Sequence, residues 1–275
     1  MQVDLHCHST ASDGALTPDA LVALAAERGA DLLAITDHDT AAGCRALPAR
    51  LPVAFLPGIE LSCRWRDRTL HVLGLGIDPE AAILRAAEAH QRALRFERAE
   101  RIAARLAARG VPAPLEGALA QANGAAPGRV HFARHLVACG FAADEAQAFR
   151  RHLGDGRDCA VPVAWPALET AVAWIRAAGG EAVLAHPARS RLAGETLRQL
   201  AADFAASGGS GLEVVCGAQP PAVTRRLAAL CRATGLAASC GSDFHHPAQH
   251  WLPFGRTGLP ADLKPIWERR QATWA

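Results

Sequence analysis

This chain has little excess charge, no paired cysteines and no long apolar run, and each shortage removes a class of protein. The net charge of +2 is too close to neutral for a general nucleic-acid or membrane surface, so any attraction to anions must be local. None of the eight cysteines forms a CxxC pair, and most sit inside apolar stretches. In 275 residues that spacing reads as buried, reduced thiols and favours a cytosolic setting. The apolar runs fall short of the roughly 20 residues needed to cross a bilayer. Candidate ligands begin at His6, which leaves no space for a basic and apolar leader. Lysine is almost missing as well, since Lys264 is the only one among 29 basic residues.

What is present is rhythm. QVDLH reads as a strand, Thr17-Pro18 opens a helix that Gly29 closes, and DLLAIT follows as a strand. Threonine at the cap, proline at the first helical position and glycine at the stop each suit their place. A short helix over 41–49 leads into the apolar runs VAFLPGIELS and TLHVLGLGI. After residue 165 the pattern resumes: helix 167–178, strand EAVLAH, helix 195–206, strand GLEVV, helix 221–234 and strand LAASCGSD. Repeated β-then-α units predict a mainly parallel sheet with helices outside it, and strands at both ends of the chain suit closure into a barrel. Residues 79–161 break the rhythm with helical patterns and no strand. They are too long for a plain loop and read as an inserted helical subdomain in a barrel made of 1–78 and 162–275.

The apolar runs lead into polar clusters: HxH at His6 and His8, TDHD at 36–39, GIE at 58–60, AHP at 185–187 and SDFHH at 242–246. Two side chains at i and i+2 on a strand point to one side, so His6 and His8 can serve one ion. In chain order the candidate ligands are His6, His8, Asp13, His38, Glu60, His71, His186, Asp243 and His245. Six histidines and three carboxylates exceed what one zinc or manganese ion uses, which implies two or three ions. Paired ions about 4 Å apart clamp the attacking and leaving oxygens of an in-line displacement, a geometry suited to phosphate esters. Asp37, Asp39 and His246 neighbour these ligands and are candidates to orient them by accepting imidazole N–H groups, although Asp39 also suits a helix N-cap.

In order, DLHCHSTASDG, TDHD, GIE, a strand histidine, AHP and SDFH resemble the motifs of the PHP (polymerase and histidinol phosphatase) family. The resemblance implies an α/β fold, a distorted seven-stranded β/α (TIM-like) barrel with a helical insertion, and a metal centre at the C-terminal ends of its strands. It implies one ion on His6, His8, Glu60 and Asp243, a second shared through Glu60 with His71 and His186, and a third on Asp13, His38 and His245. Many members carry histidine where Asp13 stands. Its harder oxygen favours Mn2+ or Mg2+ over Zn2+, with Fe2+ a further possibility for the two or three ions. The catalytic set implied is His6, His8, Glu60, Asp243 and His245.

Arginines 92, 95, 98, 101, 105 and 109 recur every three or four residues on the first helix of the insertion, and GRVHFARHL adds Arg129, His131 and Arg134. Paired with Glu88, Glu97 and Glu100, most of the stripe reads as a solvated face. Arginine forks brought to the barrel mouth would instead bind phosphate oxygens. A helical insert of this kind resembles the nucleotide phosphoesterase branch of the family, which implies that Arg95, Arg98, Val130 and His131 contact substrate; charge adds Arg129 and Arg134. The reading that follows is hydrolysis of the 3′-phosphate of a nucleoside 3′,5′-bisphosphate, or of a monophosphate such as AMP, in the cytoplasm, with a nucleotide or short RNA as the partner and no membrane. Three alternatives stand beside it: a 5′-3′ exoribonuclease on short RNA, a histidinol-phosphate phosphatase and a metal-dependent amidohydrolase. The version of the last that bridges its metals through a carboxylated lysine on a middle strand has no residue to use, because Lys264 lies beyond the last ligand cluster.

Overall fold

In the computed structural model, described for residues 1–249, 253–255 and 257–270, seven strands form one sheet in sequence order. They are β1 (Val3–Asp4), β2 (Leu32–Ile35), β3 (Ala54–Trp65), β4 (Arg68–Leu75), β5 (Glu181–Leu184), β6 (Gly211–Cys216) and β7 (Ala237–Gly241). The two edges meet: Leu5 N–H donates to Cys240 O at 3.1 Å and Asp243 N–H to His6 O at 2.8 Å. The sheet therefore curls into a distorted seven-stranded β/α barrel.

Alternating side chains sort the residues of the strands between its two faces. Leu32 and Ala34, Leu73 and Leu75, and Val183 join Val3, Leu5, Leu56, Ala237 and Cys240 in one buried cluster that fills the barrel. Their neighbours Leu33 and Ile35 face outward onto α1 (Pro18–Glu27), and Ala182 and Leu184 onto α7 (Leu168–Ala177), α8 (Gly194–Ala206) and α9 (Pro221–Thr234). Helix α1 starts as its sequence dictates, with the Thr17 hydroxyl accepting from Ala20 N–H at 3.3 Å. Past its end Gly29 takes φ +77°, a left-handed conformation that costs glycine little.

One strand departs from the expected parallel pattern. β4 runs antiparallel to both β3 and β5. Only Arg66 and Asp67 separate β3 from β4, too few for a crossover helix, so the chain turns straight back as a hairpin. Arg66 takes the positive φ of 53° that the tight turn requires. The reversal brings the early part of β4 to the end of the barrel where the parallel strands finish. His71, opposite Ser62, therefore reaches the site from the first half of its strand rather than from its C-terminal end.

Between β4 and α7 the chain is helical: α2 (Ala42–Arg45) precedes this stretch, which holds α3 (Ala82–Ala107), α4 (Pro114–Ala122), α5 (Arg129–Ala138), α6 (Glu145–Ala148) and a π-helical turn, Phe149–Leu153. These helices share an apolar cluster around Phe132, Leu136, Leu106 and Ile102, separate from that of the barrel. Arg101, Arg105 and Arg109 hold the returning strap: Arg105 donates to Ala160 O at 2.6 Å, and Arg109 pairs with Asp158 at 2.7 Å. All eight cysteines are free thiols and seven are buried. No helix among the described residues is long and apolar enough to cross a membrane.

Candidate metal centre

The nine candidate ligands come from distant parts of the chain and converge at one end of the barrel. His6 and His8 leave β1, Asp13 sits on the loop after it, His38 follows β2, Glu60 and His71 are diagonal neighbours on the two strands of the hairpin, and His186, Asp243 and His245 follow β5 and β7. Glu60 is central and buried. Its Oε2 lies 3.3 Å from both His6 Nε2 and His8 Nε2, and its Oε1 lies 3.0 Å from His71 Nδ1 and 2.9 Å from His186 Nε2. Asp243 Oδ1 lies 3.4 Å from His6 Nε2 and 3.1 Å from His8 Nε2. Asp13 lies 3.5 Å from His245 Nε2 and 3.9 Å from His38 Nε2, while the other nitrogen of His38 is 3.0 Å from Glu60.

These spacings suit metal ligation. Ligands about 2.1 Å from an ion stand roughly 3.0 to 3.4 Å apart around it. The buried atoms that lack a hydrogen-bond partner among the described residues include His6 Nε2, His8 Nδ1, His38 Nδ1 and Glu60 Oε2. Leaving several such atoms bare in one place is costly unless something else binds there. Imidazole nitrogen and carboxylate oxygen are the donors that zinc, manganese and iron accept.

Charge is shared tightly. Burial would lower the pKa of His6, but Glu213, Glu60 and Asp243 outweigh it and hold it well above its ordinary value. Burial would raise Glu60, and His38, His6 and His71 outweigh it in turn and hold its carboxyl well below the usual range. His8, which burial and the neighbouring His245 and His38 disfavour as a cation, drops to about 3. A neutral His8 has a lone pair to give.

Three residues of the site occupy backbone conformations that side chains rarely adopt: Asp39 (φ 56°), His186 (φ 27°) and Asp243 (φ 54°). Each is held by a hydrogen bond from its own N–H: Asp39 to Glu60 O at 2.8 Å, His186 to Glu213 Oε2 at 2.6 Å, and Asp243 to His6 O at 2.8 Å. Such strain persists where surrounding contacts over-determine it. Gly241 makes room for His6, since a Cβ there would lie 2.3 Å from His6 Cβ.

Among the described residues, Asp37, Asp39 and His246 accept from no imidazole. Asp37 accepts from Ser9 N–H, Ser9 Oγ and Ser12 Oγ, each at 2.7 Å, and so shapes the loop that carries Asp13. Asp39 accepts from Ser62 N–H at 2.6 Å, from Gln91 at 3.0 Å and from Arg95 Nε at 2.7 Å. It caps no helix, because α2 begins after Ala41, whose N–H is taken by Glu88. His246 is exposed, and its Nδ1 accepts from Ala248 N–H.

The residue that does meet an imidazole of the candidate ligands is Glu213, which the linear pattern does not single out. It is fully buried on β6; His6 Nδ1 lies 2.9 Å from its Oε1, and His186 N–H donates to its Oε2. A lone carboxylate inside the apolar strand GLEVV was the available signal. Arg189 was also missed. It stands on the turn Pro187–Ser190 and pairs with Asp243 Oδ2.

The residues of the helical segment divide. Arg95 is buried against Asp39 and Ser62. Arg98 Nε has no partner among the described residues, and burial beside Arg129 and Arg95 lowers its pKa to about 9. Arg129 pairs with Asp155 at 2.8 Å, and Arg134 donates to Asp13 O at 2.7 Å. His131 accepts from Gly128 N–H at 2.9 Å. A cavity of about 250 Å³ reaches Asp13 and His38 and is walled by Arg92, Arg95, Gly128 and His131. A second, of about 630 Å³, reaches His186, Asp243 and His245 and is walled by Val130, Arg134 and Arg189.

Comparisons with known proteins agree with this geometry. Residues 4–103 match the PHP domain. The chain is 43% identical over 273 residues to a 5′-3′ exoribonuclease of Escherichia coli, covering 96% of this chain and 92% of that one. It is 42% identical over 275 residues to a 3′,5′-nucleoside bisphosphate phosphatase of Chromobacterium violaceum, covering 98% and 96%. Among solved structures, one from C. violaceum described as an amidohydrolase with bound sulfate and no metal matches at TM-score 0.92 and 40% identity, covering 99% and 96% of the two chains. One from Bifidobacterium adolescentis, described as a metal-dependent phosphoesterase, matches at TM-score 0.79 and 30% identity, covering 98% and 94%. With its ligand cluster and these relatives, the chain belongs to the PHP family and is a metal-dependent phosphoesterase.

Proposed function

We propose that this phosphoesterase removes the 3′-phosphate of nucleoside 3′,5′-bisphosphates, releasing a 5′-nucleotide and inorganic phosphate. The observation that carries the reading is Arg98, a half-buried arginine whose Nε is buried without a partner among the described residues and whose charge is opposed by Arg129 and Arg95; it shares a helix with Arg92 and Arg95, which wall a cavity that opens on Asp13 and His38. A guanidinium with a desolvated, unpaired Nε calls for an anion, and a second, uncleaved phosphate supplies one. One C. violaceum relative bears the name of this activity.

The site offers three ligand sets: His6, His8, Glu60 and Asp243; Glu60, His71 and His186; and Asp13, His38 and His245. When bound, manganese ions would neutralise phosphate charge and activate water; the oxygen of Asp13 favours manganese or magnesium over zinc. Glu60 offers one oxygen to each of the first two sets and so fixes their separation. Glu213 holds His6 and His186 in the orientation that aims Nε2 inward. Residues 79–161 act as a lid over the barrel of 1–78 and 162–275. From the lid, Arg98 grips the 5′-phosphate with help from Arg95 and Arg129, and Val130, His131 and Arg134 line the approach. Energy from that remote grip positions the scissile phosphate.

With manganese, the purified protein should release phosphate from adenosine 3′,5′-bisphosphate and only slowly from histidinol phosphate. Good turnover of histidinol phosphate with none of the bisphosphate would sink the reading. The relatives named exoribonucleases support a second reading, cleavage of short 5′-phosphorylated RNA, which needs the same grip on a 5′-terminal phosphate.

A further inference from the structure

The ligands of the metal centre are held from two directions. His6 and His186 meet Glu213 on β6, the His8 N–H donates to Phe244 O at 2.9 Å, and the Asp243 N–H donates to His6 O. Those contacts stay within the barrel. His38 and Asp13 differ, because helices of the lid reach the loops that carry them.

Helix α3 grips the loop of His38 through its neighbour Asp39. Gln91 is fully buried, and its amide nitrogen donates to Asp39 Oδ1 at 3.0 Å and to Ser62 O at 2.6 Å. The amide cannot turn over, since its oxygen would then face two acceptors. That oxygen has no partner among the described residues, so the two donated bonds are what offsets the burial of the group. Arg95 donates to the other oxygen of Asp39, and one turn earlier Glu88 accepts from Thr40 Oγ1 at 3.3 Å and from Arg45 at 2.9 Å. Asp39 takes φ 56°, a conformation that persists only where contacts enforce it. Gln91 and Arg95 supply two of those contacts from the lid, and without them the turn after His38 relaxes.

Helix α5 grips the loop of Asp13. Arg134 donates to Asp13 O at 2.7 Å, and the His131 ring hydrogen-bonds the backbone of Ser12. Asp13 and His38 belong to one ligand set, and their side chains lie 3.9 Å apart. Two helices of the lid therefore end beside two ligands of the same ion.

We propose that the lid controls the affinity of the set formed by Asp13, His38 and His245, with Gln91 of α3 and Arg134 of α5 as its positioning residues, while the other two sets depend on the barrel alone. The inference rests on the ligand sets and the lid of the function proposed above, and not on the substrate. The centre is then complete only under a seated lid. By linkage, whatever affinity the seated lid adds for that ion, the ion adds to the seating of the lid.

The test measures manganese bound to wild type, Gln91→Met, Arg134→Met and His245→Ala by equilibrium dialysis with elemental analysis. Methionine keeps the length of glutamine and suits a helix but donates no hydrogen bond. Expected in Gln91→Met and in Arg134→Met is a loss of about tenfold in affinity for one ion, the scale of residues that orient ligands, with the other two ions bound as in wild type. In His245→Ala, which already lacks a ligand of that ion, adding Gln91→Met should change manganese binding no further. A role confined to stability would lower Tm of the metal-free protein and leave the binding curves unmoved. Hydrogen exchange in α5 should slow at the manganese level that fills the weakest ion in wild type, and should not respond in His245→Ala. Wild-type binding in both single variants, equal weakening of all three ions, a further loss in the double variant, or exchange in α5 that ignores the weakest ion would each overturn lid control. A wild type that binds fewer than three ions would strike the third ligand set itself, and only its inactivity on the bisphosphate strikes the proposed substrate, so these failures are distinguishable.

Discussion

Glu213 holds two ligands at once: His6 Nδ1 sits 2.9 Å from one of its oxygens, and the backbone N–H of His186 sits 2.6 Å from the other. Both partners present hydrogen to it, so only a carboxylate, with acceptors on both atoms, satisfies the pair. In Glu213→Gln the amide nitrogen must oppose one donor. Such partners of ligands typically change metal affinity by about 10- to 100-fold. The variant should bind manganese weaker by that order, read by titration against a chelator, and recover activity at high manganese. Unchanged affinity would remove the orienting role.

Gly241 sets a steric limit beside the same histidine. A Cβ there would stand 2.3 Å from His6 Cβ and 2.7 Å from His6 N, and neither the strand backbone nor the stem of the ring can yield easily. Gly241→Ala should lose about 1–3 kcal/mol of stability, in the range of overpacked cores. It should also lose metal content at equal manganese, measured by elemental analysis of folded protein.

Removing the metals should cost stability as well as activity. At free metal near 100 times Kd, binding contributes about 2.7 kcal/mol. In a protein of this size that corresponds to roughly 5–10 °C in Tm. Chelation should lower Tm by that order and abolish phosphate release, with both restored by manganese. An unchanged Tm would argue that the cluster binds no ion.

Arg98→Ala should raise KM for 3′,5′-bisphosphates on the order of 10- to 100-fold, the scale of hydrogen bonds to a charged group. Its effect on an aryl phosphate that lacks the second phosphate should be small. Equal effects on the two substrates would remove the recognition role.

His131 gives a pH signature. Burial, with Arg134 and Arg95 nearby, lowers its pKa to about 4, whereas an unfolded histidine titrates near 6.5. The native state therefore keeps a neutral ring where the unfolded chain gains a proton. The stability it contributes is complete above about pH 6.5 and is lost as pH falls toward 4. Between those values Tm of the metal-free wild type should fall more steeply than that of His131→Leu. Parallel slopes would refute the assignment.

Much of the fold was legible because barrels write themselves locally. Apolar alternation, the Thr17-Pro18 start and the Gly29 stop depend on residues near each other in the chain, and the structure keeps them. The hairpin was harder to see. VAFLPGIELS and TLHVLGLGI were both read as strands, but the two-residue link Arg66-Asp67, which forces the reversal and moves His71, carries no hydrophobic signal. The arginine stripe was read as one face, yet its members serve three ends: Arg95 on Asp39, Arg98 half-buried with its Nε unpartnered among the described residues, and Arg105 and Arg109 on the strap at 158–160. Helical spacing states which residues share a side and not what lies opposite.

By itself the sequence singled out the candidate donor set. His6, His8, Asp13, His38, Glu60, His71, His186, Asp243 and His245 are candidate donors by residue type, most of them following apolar runs, and ligand chemistry depends on type. The tertiary structure alone decided which partners hold those donors. Glu213 meets His6 across 207 residues of chain, Asp37 and Asp39 turn to serines and Arg95 instead of imidazoles, and Arg189 finds Asp243. Those contacts depend on the closure of β7 against β1 and on the return of α3 over the hairpin. No local pattern encodes where two distant side chains meet; packing of the whole barrel places them.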